Sequence, residues 1–207
     1  MSAGYPCLSE ALKIWEEGIA FRLAQGTFSK EEEYRFHTRK VAEIASAIAS
    51  KSGMNEEKAY IFGLLHDYGK RIDERKSGKF HGLEGYREML KKGYPEMAGI
   101  CLSHCFPRRD FDIDNYPAYS RSDMEESKKI LASLEYNDYD RLIQFSDMFP
   151  EGMNVVTIEK RLSAIQKRYG LSEMEIKDIS ENARYLKRYF SDLCRCDVYT
   201  LIDFDCC

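Results

Sequence analysis

The 207-residue sequence predicts an all-α fold, a single-domain helical bundle, on three observations. Apolar residues recur at steps of three and four along most of the chain, two serines open capping boxes, and no stretch alternates apolar and polar residues as a half-buried strand would. At 24.1 kDa the chain can bury one sizeable core, and no stretch reads as a linker between two.

Each element follows from a local pattern. Leu8, Leu12, Trp15 and Ile19 share one helical face, and Gly26 marks a stop. Ser29 to Glu32 has the form of a capping box, and in the helix that it opens Val41, Ile44 and Ile48 follow His37 at steps of four, three and four. Asn55 can cap a third helix through Ile61, Leu64 and Leu65, ended by Gly69 after His66-Asp67-Tyr68. Shorter helices are predicted over 81–92, stopped by Gly93, and over 95–104, where Pro95 suits a first turn. Residues 106–121 hold two prolines and four aromatics without period and read as a loop. Helices resume over 122–134 and 140–149. Ile158, Leu162, Ile165 and Tyr169 precede Gly170, and Ser172 to Glu175 is a second capping box. After it Ile176, Ile179, Ala183, Leu186, Phe190 and Leu193 form the packing stripe of a long amphipathic helix.

Composition limits the function classes. Thirty-one basic against thirty-five acidic residues leave a net charge of −4 with no basic block, so a nucleic-acid polymer is not indicated as a partner. No run approaches the roughly 20 apolar residues of a membrane span, and the first residues lack the basic and apolar regions of a signal peptide. The chain reads as cytoplasmic, which seven unpatterned cysteines also suit. Cys194, Cys196, Cys206 and Cys207 cluster near the end, where scattered thiols are more often inert than a soft-metal patch.

The histidines carry the chemical signal. His37, the doublet His66-Asp67, His81 and His104 are followed by Asp147, and imidazoles with carboxylates are the ligands of catalytic transition metals. Ile61, Phe62, Leu64 and Leu65 imply a buried doublet, and Leu142, Ile143, Phe145, Met148 and Phe149 imply apolar surroundings for Asp147. A buried carboxylate needs a cation, and a metal answers for both. Hydrogen-bonded Asp-His pairs without a metal are the competing explanation.

These residues resemble the HD superfamily of metal-dependent phosphohydrolases, all-helical proteins defined by the order H…HD…D, here His37, His66-Asp67 and Asp147. His37-Thr-Arg-Lys-Val-Ala-Glu-Ile-Ala is similar to the family's first ligand helix, and Gly63-Leu-Leu-His-Asp-Tyr-Gly-Lys70 to its H-D-x-x-K turn. His81 and His104 resemble the two-metal branch typified by bacterial diadenosine tetraphosphate hydrolases. That resemblance implies one site of His37, His66, Asp67 and Asp147 and a second of Asp67, His81 and His104, with Asp67 bridging. It implies one or two divalent transition metals, Fe, Mn, Zn, Co or Ni. Residues 29–170 would be the HD metal-binding core, residues 1–28 a helix packed on it, and 171–207 a C-terminal helix and tail of the same domain. The family commonly has alanine where Ser146 stands, a change between two small residues.

The expected reaction is hydrolysis of a phosphate ester, on a nucleotide or related phosphorylated metabolite, by a metal-activated hydroxide. Asp67 and Asp147 would hold metal and orient the attacking oxygen, and Lys70 would touch phosphate. Arg108 and Arg109 could clamp phosphate, with Phe106, Phe111, Tyr116 and Tyr119 offering rings to a base. Two alternatives share these ligands: a di-iron oxygenase, and a sensor module that binds without turnover. Metal identity, substrate and oligomeric state are left open by the sequence.

Overall fold

The computed structural model describes residues 4–26, 28–116 and 119–205. It is all-α. In chain order the helices are α1 Leu8–Ala24, α2 Glu31–Ser52, α3 Glu56–Leu65, α4 Glu74–Ser77, α5 His81–Lys91, α6 Pro95–Ser103, α7 Arg121–Ser133, α8 Asp138–Ser146, α9 Ile158–Tyr169 and α10 Glu173–Cys194. Among the described residues the only strands are β1 Pro150–Glu151 and β2 Asn154–Val155, a two-residue antiparallel ladder too short to leave an alternating pattern in the sequence. No helix of the described residues is long and apolar enough to cross a membrane.

Three of the expected helix starts carry the residues that the sequence assigns to them. Asn55 Oδ1 accepts from the Lys58 amide at 2.9 Å, Pro95 stands in the first turn of α6, and Ser172 with Glu175 forms a complete capping box. Thr157 and Ser120, not foreseen as caps, each accept from the amide three residues on. The stripe on α1 is rotated from the expected one: Ala11, Ile14, Trp15, Gly18 and Ile19 are buried while Leu12 is 41% exposed. Steps of three and four fit two overlapping faces there, and the face with the tryptophan and two small residues is the one that packs closely. On α10 the buried stripe is Ala183, Leu186, Phe190 and Cys194, with Leu193 on the open side. Cys194 is thus a core residue, its thiol directed to the Ile48 carbonyl. Cys206 and Cys207 lie outside the described residues.

The chain divides into two compact units, residues 1–31 with 64–140, and 32–63 with 141–207. In the first unit, α5 packs against α6 and against the 3-10 turn Tyr68–Arg71 that follows the His66-Asp67 doublet. Two glycines make this approach possible. A Cβ on Gly69 would stand 1.8 Å from the His81 carbonyl oxygen and 2.7 Å from the Gly85 amide nitrogen, and one on Gly85 would stand 2.9 Å from Cys101 Cβ. No side chain fits at Gly69, so the doublet is pressed onto the start of α5. Helix α1 braces the same turn, because Arg22 donates to the Lys70 carbonyl at 2.6 Å. A separate cluster of Phe80, Leu83, Leu102, Phe106, Met124 and Leu131 joins α5, α6 and α7.

In the second unit Val41, Ala42, Ile44, Ala45, Ile48 and Ala49 of α2 are buried, as the pattern after His37 requires. Phe145 stacks on Phe190 with ring centroids 5.7 Å apart and meets Phe149 edge-on at 5.0 Å. These rings set the end of α8, after which the chain turns through Asp147 into β1.

Gly69→Ala should destabilise the protein by about 2 kcal/mol or more, because the added methyl meets backbone that cannot rotate away. Gly99→Ala on α6, where the methyl meets nothing within 4 Å, should be neutral or stabilise by up to about 1 kcal/mol through helix propensity. Urea midpoints of the two variants check this, and equal shifts would refute it.

Candidate metal centre

In the first unit the doublet sits in the turn between α3 and the 3-10 turn, with Leu64 and Leu65 fully buried ahead of it. The Asp67 carboxylate is 1% exposed. Its Oδ2 accepts from Lys70 Nζ at 2.6 Å and lies 3.5 Å from His66 Nε2. Its Oδ1 lies 3.4 Å from His81 Nε2 and 3.4 Å from His104 Nε2. His81 opens α5 and His104 closes α6, so the α5–α6 contact brings together two imidazoles separated by 23 residues, Nε2 to Nε2 at 3.4 Å.

Both rings are fixed through their other nitrogen. His81 Nδ1 is 2.5 Å from Glu74 Oε1, an oxygen that also accepts from the His81 amide at 2.9 Å. His104 Nδ1 is 3.2 Å from the Ile100 carbonyl oxygen. An acceptor opposite Nδ1 holds a proton there, so Nε2, which faces Asp67 as a donor without a cation, can offer its lone pair in the orientation of a metal-ligating histidine when a cation binds.

The charges explain how Asp67 remains ionised. Burial works against its charge, but the Lys70 ammonium, then His66, His104 and His81, outweigh burial and hold the carboxyl well below its ordinary range. Burial likewise opposes ionisation of Glu74, yet His81 and Lys70 bring it down to about 2. Burial would lower both site imidazoles, and Glu74 beside His81 and Cys105 with Asp67 beside His104 raise them instead. Positive charge therefore converges on one buried carboxylate, and the imidazoles among its sources can give their lone pairs to a cation instead.

The second unit holds the other two predicted ligands. His37, one turn before Val41 on α2, points Nε2 at Asp147 Oδ1 at 2.9 Å, with the side chains 15% and 25% exposed. Arg161 of α9 stands 3.9 Å from the same oxygen and pairs with Glu151 of β1. Asp147 is less enclosed than its apolar neighbours in sequence imply, because it follows the last turn of α8 rather than lying inside it.

The predicted substrate contacts are placed as follows. Lys70 is 33% exposed while paired to Asp67. Arg108 and Arg109 are exposed, and Arg109 donates to the Leu134 carbonyl at 2.6 Å. The loop aromatics differ from the expectation of rings open to a base. Phe106 is fully buried, stacked on Phe111 at 4.2 Å and tilted on Tyr116 at 5.4 Å, and Tyr119 meets Phe80 edge-on at 4.8 Å. Four rings without helical period gain more by closing on one another than by facing water.

Two residues of the site were missed from the sequence. Glu74 carries no motif, because its role depends on a chain reversal between α4 and α5. Cys105 does have a signal, its position next to His104. Its thiol lies 3.3 Å from His81 Nε2 and 3.2 Å from His104 Nε2, and one ligand atom from each of the three residues falls within 4.8 Å of the others.

A buried carboxylate ringed by oriented imidazoles in a helical protein is an arrangement that can hold a cation. The family model described as HD domain matches residues 34–188, well over half of the chain, and the chain belongs to that family. Three curated relatives are each named Ribonuclease Y. The one from Mesoplasma florum is 50% identical over 54 residues, 25% of this chain and 11% of that protein. The one from Thermosipho melanesiensis is 39% identical over 69 residues, 33% and 13% of the two chains. The one from Mycoplasmoides gallisepticum is 29% identical over 113 residues, 54% and 17%. The chain thus spans less than a fifth of the length of these relatives. No solved structure matches significantly.

Replacing Glu74 by alanine should weaken metal binding roughly 10- to 100-fold by freeing the His81 ring, as loss of an outer partner of a metal ligand does. Competition with a coloured chelator measures this; an unchanged affinity would assign Glu74 to the helix alone.

Proposed function

We propose that the chain is a metal-dependent phosphohydrolase that directs a metal-activated water at a phosphate ester. The observation that carries the reading is the Asp67 oxygen 3.4 Å from two imidazole nitrogens whose other nitrogens are both held by acceptors. Membership of the HD domain family, whose match runs through all six predicted ligands, supports it. In the finer form His37, His66, Asp67 and Asp147 hold one cation, and Asp67, His81 and His104 a second. The donor set of imidazoles and carboxylates suits iron, manganese, zinc, cobalt or nickel. Such cations, when bound, lower the pKa of a coordinated water toward neutrality and neutralise charge on the phosphoryl oxygens.

The remaining work falls to the chain. Asp67 and Asp147 orient the attacking oxygen as well as holding metal. Lys70, a third of whose side chain faces solvent, turns its ammonium to a substrate phosphate when a cation takes its place at Asp67. Arg108 and Arg109 bind further phosphate oxygens.

The substrate class that this proposal favours is a nucleotide or related phosphorylated metabolite, including the dinucleoside polyphosphates of the two-metal branch. The name Ribonuclease Y on the relatives favours a second reading, an RNA phosphodiester. A net charge of −4 without a basic block argues for the smaller substrate. The deciding experiment is an anaerobic screen of metal-replete protein against mononucleotides, dinucleoside polyphosphates, phosphorylated metabolites and an RNA oligonucleotide. Cleavage of a phosphate ester without oxygen supports the hydrolase. Oxygen uptake that requires iron would replace it with the oxygenase, and binding without turnover with a sensor.

Metal should be lost in steps: His81→Ala or His104→Ala lowers the content from about two to about one, and Asp67→Ala abolishes both. Metal analysis checks this, and two metals retained in His104→Ala would remove His104 from the site. Lys70→Ala should keep the metals and slow turnover, and Arg108→Ala with Arg109→Ala should raise KM at least tenfold, about 1.4 kcal/mol. Steady-state kinetics of either variant equal to the parent's would return those residues to the surface.

A further inference from the structure

The geometry points to Cys105 as a thiolate ligand of the metal held by His81, His104 and Asp67, making that half of the centre a mixed nitrogen, sulfur and oxygen site. The inference rests on the metal-binding reading above and narrows it to a particular donor.

The distances are those of donors around one cation. With metal–nitrogen bonds of about 2.0–2.1 Å and a metal–sulfur bond of about 2.3 Å, a tetrahedral ion separates two nitrogens by about 3.3 Å and a nitrogen from a sulfur by about 3.6 Å. Here His81 Nε2 and His104 Nε2 are 3.4 Å apart, and each is 3.4 Å from Asp67 Oδ1. Cys105 Sγ is 3.3 Å and 3.2 Å from the two nitrogens, a few tenths of an ångström inside the tetrahedral value. A sulfur that accepts from two protonated imidazoles is the competing explanation of these contacts, and the experiment below separates the two. The turn that closes α6 makes the arrangement possible, since His104 and Cys105 are adjacent at its end and both face His81.

On coordination the Cys105 S–H bond breaks heterolytically, its electron pair forms the metal–sulfur bond and the proton leaves to solvent. No electron changes hands. Burial pushes the free thiol's pKa up, so the cation, with its far larger local charge, is what makes the thiolate. A soft donor in place of water or carboxylate shifts preference toward zinc, cobalt or iron and away from manganese and magnesium.

The test is a cobalt(II) titration of the full metal-free chain, kept reduced and anaerobic, beside Cys105→Ser. The wild type should develop a near-ultraviolet sulfur-to-cobalt charge-transfer band together with tetrahedral cobalt absorption. Cys105→Ser should still bind cobalt but lose the charge-transfer band, and its preference for zinc over manganese should fall roughly tenfold or more. Cobalt bound by the wild type without the band, or a band unchanged in Cys105→Ser, overturns the thiolate ligand while the metal centre stands. Failure of the wild type to bind cobalt at all overturns the metal reading itself. X-ray absorption of the zinc-loaded wild type decides independently of any variant: one sulfur at about 2.3 Å supports Cys105, and a shell of nitrogen and oxygen alone refutes it.

Discussion

The first unit of this protein is organised around one buried charge. The Asp67 carboxylate is 1% exposed, and an ion in that position is untenable unless positive groups converge on it. Four do so, Lys70, His66, His81 and His104, from a turn and two helices. The requirement reaches back into packing. Gly69 is where the turn presses onto α5, Gly85 is where α5 meets α6, and α1 holds the carbonyl of Lys70 through Arg22.

Convergence of this kind distinguishes a site from a satisfied polar core. A structural Asp-His pair needs one partner, and both of the histidine's nitrogens can be satisfied by it and by solvent. Here both imidazoles present Nε2 to the same oxygen while Glu74 and the Ile100 carbonyl hold the opposite edges. Protons on those rings balance Asp67 in the metal-free protein, and a cation that binds there releases them. The pair of His37 with Asp147 in the second unit has the same chemistry with a 2.9 Å contact.

How much of this could be read from the chain depended on the range of each interaction. Helix identity was legible because caps and periodicity are local: Asn55, Pro95 and Ser172 act where their sequence signals stand. The buried face of α1 was misjudged because spacing alone fits two overlapping stripes, and only packing selects the one with Trp15 and Gly18. The candidate ligands could be named from the sequence because the chain has only four histidines and Asp67 stands beside one of them. Glu74 was not, being one acidic residue among many, and Cys105 was passed over although it follows His104 directly. The aromatics between Phe106 and Tyr119 were read as open to a ligand, yet rings with no helical period can still meet in three dimensions, and these do.

Linkage between cation binding and folding tests the account most directly. Thermal unfolding of the metal-free wild type and of Asp67→Asn, each with and without cobalt(II), compares a carboxylate that can hold a cation with an amide of the same shape. The account predicts that cobalt at a hundred times its dissociation constant stabilises the wild type by about 2.7 kcal/mol and that the increment vanishes in Asp67→Asn. A wild type indifferent to the cation, or an Asp67→Asn variant stabilised as much as the wild type, would contradict it.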